Sequence, residues 1–539
     1  MHIGLDAVAR VTPALRTAPA SVAGLAGFTR RGVPGRPVRI TGVEQFTDRF
    51  GGHLPDGYLA DAVTGFFVNG GRTAYVVRAA SSGAVAAEVA LPATGRPSLR
   101  ITAGHRGEPD PGSWAAALRL DVQDDPKATT TVVRASGRTV RLASLTGIEV
   151  GSVLRLPAGP RRVTAVHPTT RTVTVTTAVG TIARGATVTT AEFRLIIRCR
   201  DDLTRDYPVV EDWRGLTTAP DTADYVVDRL NHPEIGSRYV MVSDVGDDPP
   251  AAGADLTLAG GTDGTPDADD LVTALSCLDK VQLVAVPDAH RFPADRARIM
   301  RRAIDYCTTR GDCFFVGSTP STVELTEPLD AAYGALYAPW LTVAASAGVP
   351  VRAVPPDGHV LGVYARTEQE SGVFRAPAGD TATIRGALAV TTPPSGDSTR
   401  VNEIRATKTG TPVITGSRTL STDPRWREVG TRLLFNVVKA TLRDGLRSVR
   451  HEPHSEELRR GVRLDMITPF LLDLWRRGAF GSGSPSQVFT IRCDEENNPP
   501  AEVNHGCLRV EVTFYPTDPA ETVRIVVIQH PTGGFAAEV

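Results

Sequence analysis

Lysine is the scarcest charged residue. Four (Lys127, Lys280, Lys408 and Lys439) stand among 59 basic side chains, and the rest are arginine. None follows a serine by three positions, so the Lys-Thr-Gly run at 408–410 lacks the Ser-x-x-Lys partner of a serine β-lactamase. Walker-A, His-Glu-x-x-His and Gly-x-Ser-x-Gly patterns are also missing, which removes the commonest nucleotide, zinc-protease and α/β-hydrolase signatures. The six cysteines contain no Cys-x-x-Cys pair and read as reduced core thiols, although Cys493 and Cys507 are close enough in sequence to face each other across a hairpin. Net charge is −1 and no dense basic block is visible, so neither nucleic acid nor an anionic membrane is an expected partner. Long apolar runs are absent too. The most apolar stretch, 335–351, is short and interrupted by two prolines, and reads as buried core, and the N-terminus has no continuous apolar stretch of the secretory kind. No cofactor or metal site is expected.

What is present is a chain of 539 residues, long enough for two to four domains. From Val22 to Arg78 strands and helices alternate: a strand at 38–40, a short helix closed by Gly51 and Gly52, and a helix through Leu59, Val63, Phe66 and Phe67 with Asp56 as its candidate N-cap. The glycines of "GFFVNGGRTAYVVR" (65–78) follow that helix instead of preceding it. A phosphate loop needs the positive N-terminal end of a helix, so Asn69-Gly70 reads as a C-terminal stop before a strand. Residues 126–192 change to Thr/Val/Arg-rich alternation with turn residues, predicting an inserted antiparallel barrel or sandwich. Buried strands ("VQLVAVPD", "CFFVGS") and amphipathic helices then resume, predicting a mostly parallel sheet with a boundary near residue 350.

The C-terminal part reads as α+β. A long helix opens with Asp423 as N-cap and Pro424 at its first position, with an apolar face of Trp426, Val429, Leu433, Val437, Leu442, Leu446 and Val449. A second helix over 455–477 carries Pro469 as a kink, and three alternating strands follow. Two constellations need weighing for chemistry. His451 and His454 flank a proline in an exposed loop and are poorly spaced for a metal. Asp288 and His290 follow a buried strand, where α/β active sites sit, but no serine lies in a nucleophile setting.

The ordered segments "GFTRRGVPGRPVRITGVEQFTDRFGG", "YLADAVTGFFVNGGRTAYVVR", "LAGGTDG", "VYARTEQESGVFRAPAG", "VNEIRA", "GSRTL", "DPRWREVGTRLLFNVVKATL", "FLLDLWRRGAFG" and "YPTDPAETVRIVVI" together resemble the contractile tail sheath proteins, over nearly the whole chain except 126–192. Thr415, Thr431-Arg432 and Thr522 depart from the usual family residues. The resemblance implies an α/β multidomain fold with four parts. These are an arm at 1–20, an outer α/β domain at 21–125 and 193–350 with a subtilisin-like but non-catalytic core, the inserted β-domain at 126–192, and a tube-proximal domain with its own arm at 351–539. It implies a structural role without enzymatic activity, as a sheath subunit of a phage tail or contractile injection system. The implied partners are copies of itself in stacked six-fold rings, an inner tube protein, and baseplate and cap or terminator proteins, in a bacterial cytoplasm or a virion tail. A subtilisin-like serine hydrolase is the alternative.

Inter-subunit pairing is expected of Ile3, Leu5 and Val8 and of the apolar strand Thr522, Val523, Arg524, Ile525, Val526, Val527 and Ile528, which would otherwise be an unprotected edge. Contact with the tube is expected of Glu456, Glu457, Arg459, Arg460 and Arg463.

Overall fold

The computed structural model of the chain describes residues 14–93, 97–201, 204–320, 330–344, 350–392, 400–516, 523–530 and 533–538. At its centre is an eight-stranded sheet. In spatial order it runs Val38–Ile40, Ala74–Arg78, Ala23–Gly27, Leu283–Ala285, Phe314–Ser318, Gly334–Ala338, Val401–Ala406 and Pro412–Ile414. The six inner strands are mutually parallel and only the two outermost pairs are antiparallel. Strands buried on both faces need no alternation, and Leu283–Ala285 and Phe314–Ser318 are buried at every position. Helices Leu59–Val68 and Asp357–Ser371 cover one face, and Ala268–Ser276 and Arg296–Arg310 the other. The helix Leu59–Val68 ends at Asn69, with Gly70 at φ +114°, as its sequence requires, but Tyr58 and not Asp56 occupies its N-cap.

Residues 351–392 and 400–414 belong to this body, not to the C-terminal part. Val360, Leu361, Val363, Ile404 and Ile414 lie in the same core as Leu25 and Val76. The described part of the Pro/Gly-rich stretch near residue 350 therefore lies within the body, as a strand Arg352–Val354 paired with Leu341–Val343 and the start of the helix Asp357–Ser371. Residues 86–124 and 193–258, read from sequence as α/β, instead contribute two antiparallel sheets around a separate core that includes Leu99, Ile101, Leu120, Phe193, Ile197 and Val240. The strand Val240–Ser243 pairs with residues 100–103, an antiparallel match that no local pattern signals. Between Leu118–Asp124 and Phe193–Cys199, which are neighbours in one sheet, the chain leaves to form a closed six-stranded barrel of strands within 129–190. Val132, Val140, Leu142, Leu154, Val163, Val173 and Val175 fill its interior.

The long C-terminal helix runs Val429–Gly445, not from Asp423. Asp423 caps only a 3-10 turn, Pro424–Trp426. The carbonyls of Trp426 and Arg427 are taken by the hydroxyl and the N–H of Thr419 (2.5 and 2.8 Å), so they cannot accept helical bonds. The second helical run is α over Glu456–Gly461, π over Val462–Ile467 and α again over Thr468–Arg476. Pro469 has no N–H for the carbonyl four residues back, and the widened π segment lies just before it. Both runs pack on an antiparallel sheet ordered Phe489–Arg492, Leu508–Phe514, Val523–His530 and Gly533–Glu538. Arg492 lies opposite Glu511, which puts Cys493 beside Val510 and away from Cys507, and both thiols are free. All residues from Val429 to Leu442 are buried. The helix is central, so its apolar face divides: Val429 and Leu433 join the body core, while Leu442, Leu446 and Val449 join the C-terminal core.

Candidate functional site

The ends of the parallel strands are the first place to look for chemistry. Pro287 opens a 3-10 turn, Pro287–Arg291, directly after the strand Leu283–Ala285. That turn buries Asp288, whose carboxylate accepts from the backbone N–H groups of Phe28 (2.7 Å) and Tyr58 (2.6 Å). Asp288 thus ties the end of one strand to the start of the helix Leu59–Val68, where a negative group is favoured. Its two oxygens serve the backbone and not His290. His290 instead places Nε2 2.9 Å from the Oγ of Ser318, edge-on to the Trp340 ring. Sequence reading missed Ser318 because its partner lies 28 residues away, in the turn after a neighbouring strand.

This Ser–His pair is not wired for nucleophilic attack. Among the described residues no carboxylate hydrogen-bonds the imidazole, since Asp288 is committed to the backbone N–H groups of Phe28 and Tyr58, so the ring lacks the acid that fixes its tautomer in a Ser-His-Asp site. Ser318 has no exposed surface. Burial pushes Asp357 up to about 7, and burial with the nearby Arg296 drives His290 down to about 3. Burial likewise lowers His359 to about 4, and burial together with Arg49 lowers His105 to about 4. These are marks of a desolvated interior.

They set a pH dependence. The three histidines stay neutral in the fold and charge on unfolding. Their stabilisation is complete above the ordinary imidazole value and is lost as pH falls from about 6.5 towards 3–4. Asp357 acts in the opposite sense: its contribution is complete below the ordinary carboxyl value and is lost as pH rises through about 7. Asp357→Asn is therefore expected to raise the melting temperature near pH 8 and to leave it nearly unchanged near pH 4. An equal shift at both values, measured by calorimetry, would contradict this assignment.

The second candidate is the C-terminal sheet. Val523–His530 is flanked on both sides by the chain's own strands: Val527 faces Val510 on one side and Ala536 on the other. Ile525, Val526 and Val527 are buried. The edge strand on this side is therefore Gly533–Glu538, and Val523–Ile528 is not an edge within the subunit. The glycines after His530 were the available signal for a returning strand. Ile3, Leu5, Val8 and Thr522 lie outside the described residues. The described N-terminal segment lies on the long helix, with the Ala18 N–H donating to Thr441 Oγ1 at 2.9 Å.

Of the residues expected at a tube contact, Glu456, Glu457 and Arg460 are exposed at the start of the second helical run, where the Ser455 hydroxyl caps Leu458 N–H at 3.1 Å. Arg463 is half-buried. Arg459 points inward, with its guanidinium 3.6 Å from Glu495, because the helical turn rotates it onto the core side. No helix among the described residues is long and apolar enough to cross a membrane. Among the same residues, no three His, Cys, Asp or Glu side chains gather as metal ligands, and His451 and His454 form no such group.

No protein-family model matches the sequence, and no curated protein matches it. Solved structures do. A sheath tail protein from Listeria innocua superposes with a TM-score of 0.59 at 13% identity, over 97% of this chain and 96% of that one. The chain has the sheath tail protein fold. A second sheath tail protein, from Desulfitobacterium hafniense, gives a TM-score of 0.53 at 10% identity, covering 96% of this chain and 97% of that one. The PVC sheath complex of an extracellular contractile injection system, in its contracted state, gives 0.51 at 14%, covering 97% and 95%. The sheath fold thus accounts for both the parallel-sheet body and the C-terminal helix-and-sheet core.

Proposed function

We propose that the chain is a structural sheath subunit that polymerises with copies of itself in stacked six-fold rings around an inner tube and shortens to drive that tube forward. The observation that carries this reading is the near full-length fold match, which covers 97% of this chain and 96% of the Listeria innocua sheath tail protein. The host particle is a phage tail or a contractile injection system, assembled in a bacterial cytoplasm or carried on a virion. A tube protein, a baseplate and a cap or terminator are its further partners. The parallel-sheet body is read as subtilisin-like and non-catalytic, which the commitment of Asp288 to backbone N–H groups instead of His290 supports. Contraction runs on stored conformational energy, since packings of this kind differ by a few kcal/mol per subunit.

Assembly is assigned to the chain ends. The free edge Gly533–Glu538 offers unpaired backbone groups to a neighbour, and a strand added there would satisfy them. Val523–Ile528 would pair between subunits only if Gly533–Glu538 first peeled away. A heterologous contact of this type does not close and so builds a helical filament. Ile3, Leu5 and Val8 are assigned to the complementary arm, and Glu456, Glu457, Arg460 and Arg463 to the tube. Negative-stain imaging of the purified protein tests the reading: cylinders are expected, and deletion of residues 1–15 or of 533–539 should leave only short or no cylinders. Persistent monomers with esterase activity would revive the hydrolase.

A further inference from the structure

The near-neutral charge of the chain conceals a segment that is far from neutral. Residues 126–192 hold nine basic side chains against two carboxylates, a surplus of seven positive charges, which leaves −8 for the remainder. The structure sorts these nine. Three are used where the barrel meets the two-sheet unit that carries it: Lys127 pairs with Asp224, Arg155 with Asp124, and Arg162 lies 3.6 Å from Asp221. Both carboxylates lie on that side as well. Glu192 accepts from the Lys127 N–H at 3.1 Å, and Glu149 is two residues from Gly151, which abuts Thr222. The other six, Arg134, Arg138, Arg141, Arg161, Arg171 and Arg184, make no ion pair among the described residues.

Their placement is ordered. Strand register sets His167 opposite Thr172, Thr172 opposite Arg141, and Arg141 opposite Arg134. Directly opposed residues share a face, so these four form a row across successive strands about 4.8 Å apart. Val140 and Leu142 point into the barrel, so Arg141 and its row point out, and Arg134, Arg138, Arg141 and Arg171 are all exposed. Arg138 sits in the hairpin joining the two arginine-bearing strands. Like charges opposed across a ladder destabilise it, and no carboxylate among the described residues pairs with Arg134 or Arg141. Such an arrangement suits an anion supplied from outside.

The chemistry narrows the anion. Residues 126–192 contain no Phe, Tyr or Trp, so neither nucleobases nor sugar faces have a stacking platform. The row is guanidinium interspersed with hydroxyls, with Ser136, Thr139 and Thr174 in the next rank. The guanidinium fork matches phosphate oxygens two at a time. A closed barrel is convex. A flat bilayer or a rigid duplex would touch only its crest, whereas a flexible chain can follow the curve. We propose that the outward face of the barrel binds a flexible, phosphate-linked polyanion. If the subunits polymerise as proposed above, the face repeats along the particle and binding gains avidity; the site in one subunit does not depend on that reading.

The test uses the full-length protein and long-chain inorganic polyphosphate, titrated across salt concentrations. Wild type should bind with a steep salt dependence. Arg134→Gln/Arg138→Gln/Arg141→Gln/Arg171→Gln should weaken binding at least about ten-fold and flatten the log–log salt slope by about 3, four contacts at ~0.7 each. Arg155→Gln, on the side of the two-sheet unit, should bind as wild type. A quadruple variant with unchanged melting temperature and unchanged affinity would overturn the proposal. So would wild-type binding to phosphatidylglycerol vesicles or duplex DNA as tight as to polyphosphate. Salt-sensitive self-association without polyphosphate, removed by the quadruple variant, would also overturn it by assigning the face to a second copy of the chain. Absence of cylinders in imaging would defeat the sheath reading alone.

Discussion

Gly358→Ala is expected to prevent the α/β body from closing. The helices Leu59–Val68 and Asp357–Ser371 cross with their backbones in contact. A Cβ built on Gly358 would lie 2.0 Å from the carbonyl oxygen of Ala62 and 2.3 Å from its Cα. One turn further on, a Cβ on Gly362 would meet the Phe66 carbonyl oxygen and the Asn69 Cβ, both at 2.5 Å. These obstacles are mainly backbone, and no rotamer change clears them. Overpacking a core costs about 1–3 kcal/mol when side chains can give way. Here the helices must separate along a seam that also buries Phe66, Val360 and Leu361. We expect a loss on the order of 4 kcal/mol or more, read as a lower urea midpoint or as insoluble expression, because such a loss approaches a domain's whole stability. Gly481→Ala is the control, since a Cβ there meets nothing within 4 Å. Equal midpoints for the two variants would show that the crossing is looser than described.

The contrast between Gly358 and Asn69-Gly70 shows what a sequence carries openly. A helix end is local. The apolar spacing of Leu59, Val63 and Phe66 and the glycine after Asn69 are enough to place it, and the structure ends the helix there. The buried strands at 283–285 and 314–318 are legible for the same reason, as short apolar runs between amphipathic helices. The two-sheet core of residues 86–124 and 193–258 is not legible, because pairings that join its two halves link segments far apart in sequence, as in Val240 with Ala103 and Gly253 with Val122. The N-cap at Asp423 failed because Thr419, just ahead of it in a stretch that folds back on itself, bonds the carbonyls that a helix would use. The Ser318–His290 pair escaped because its members lie 28 residues apart, whereas the strand Gly533–Glu538 had a local signal in the glycines after His530. The charge surplus of 126–192 is different: a count over the segment alone finds it, and only averaging over the whole chain hides it.

Arg432→Ala is expected to uncouple the C-terminal core from the body. The long helix is buried all round, yet it carries a polar stripe at helical spacing, Arg432, Asn436, Lys439 and Arg443. Each member meets the body. The Arg432 guanidinium lies 4.5 Å from the ring centre of Tyr333, the Asn436 amide donates to the Cys313 carbonyl at 3.1 Å, Lys439 donates to the Tyr333 hydroxyl at 2.8 Å, and Arg443 pairs with Asp312 at 2.5 Å. Arg432 joins this stripe to the other side of the helix. Its guanidinium stacks 3.5 Å from the Trp426 ring centre, Trp426 meets Phe435 edge-on at 5.0 Å, and Phe435 stacks on Phe514 of the C-terminal sheet at 4.3 Å. With 1% of its surface exposed, Arg432 is among the largest fully buried side chains of the molecule. A desolvated cation–π contact is worth about 2 kcal/mol, and truncating a large buried side chain costs about 3–5. A lysine has no planar group to lie between Trp426 and Tyr333, so Arg432→Lys should recover little. Wild type is expected to lose Trp426 fluorescence and body secondary structure at one urea concentration, because the stripe makes the two cores unfold together. In Arg432→Ala the fluorescence transition should come first. Coincident transitions in the variant, or full recovery by lysine, would mean that the seam is held by its other contacts and that Arg432 only fills space.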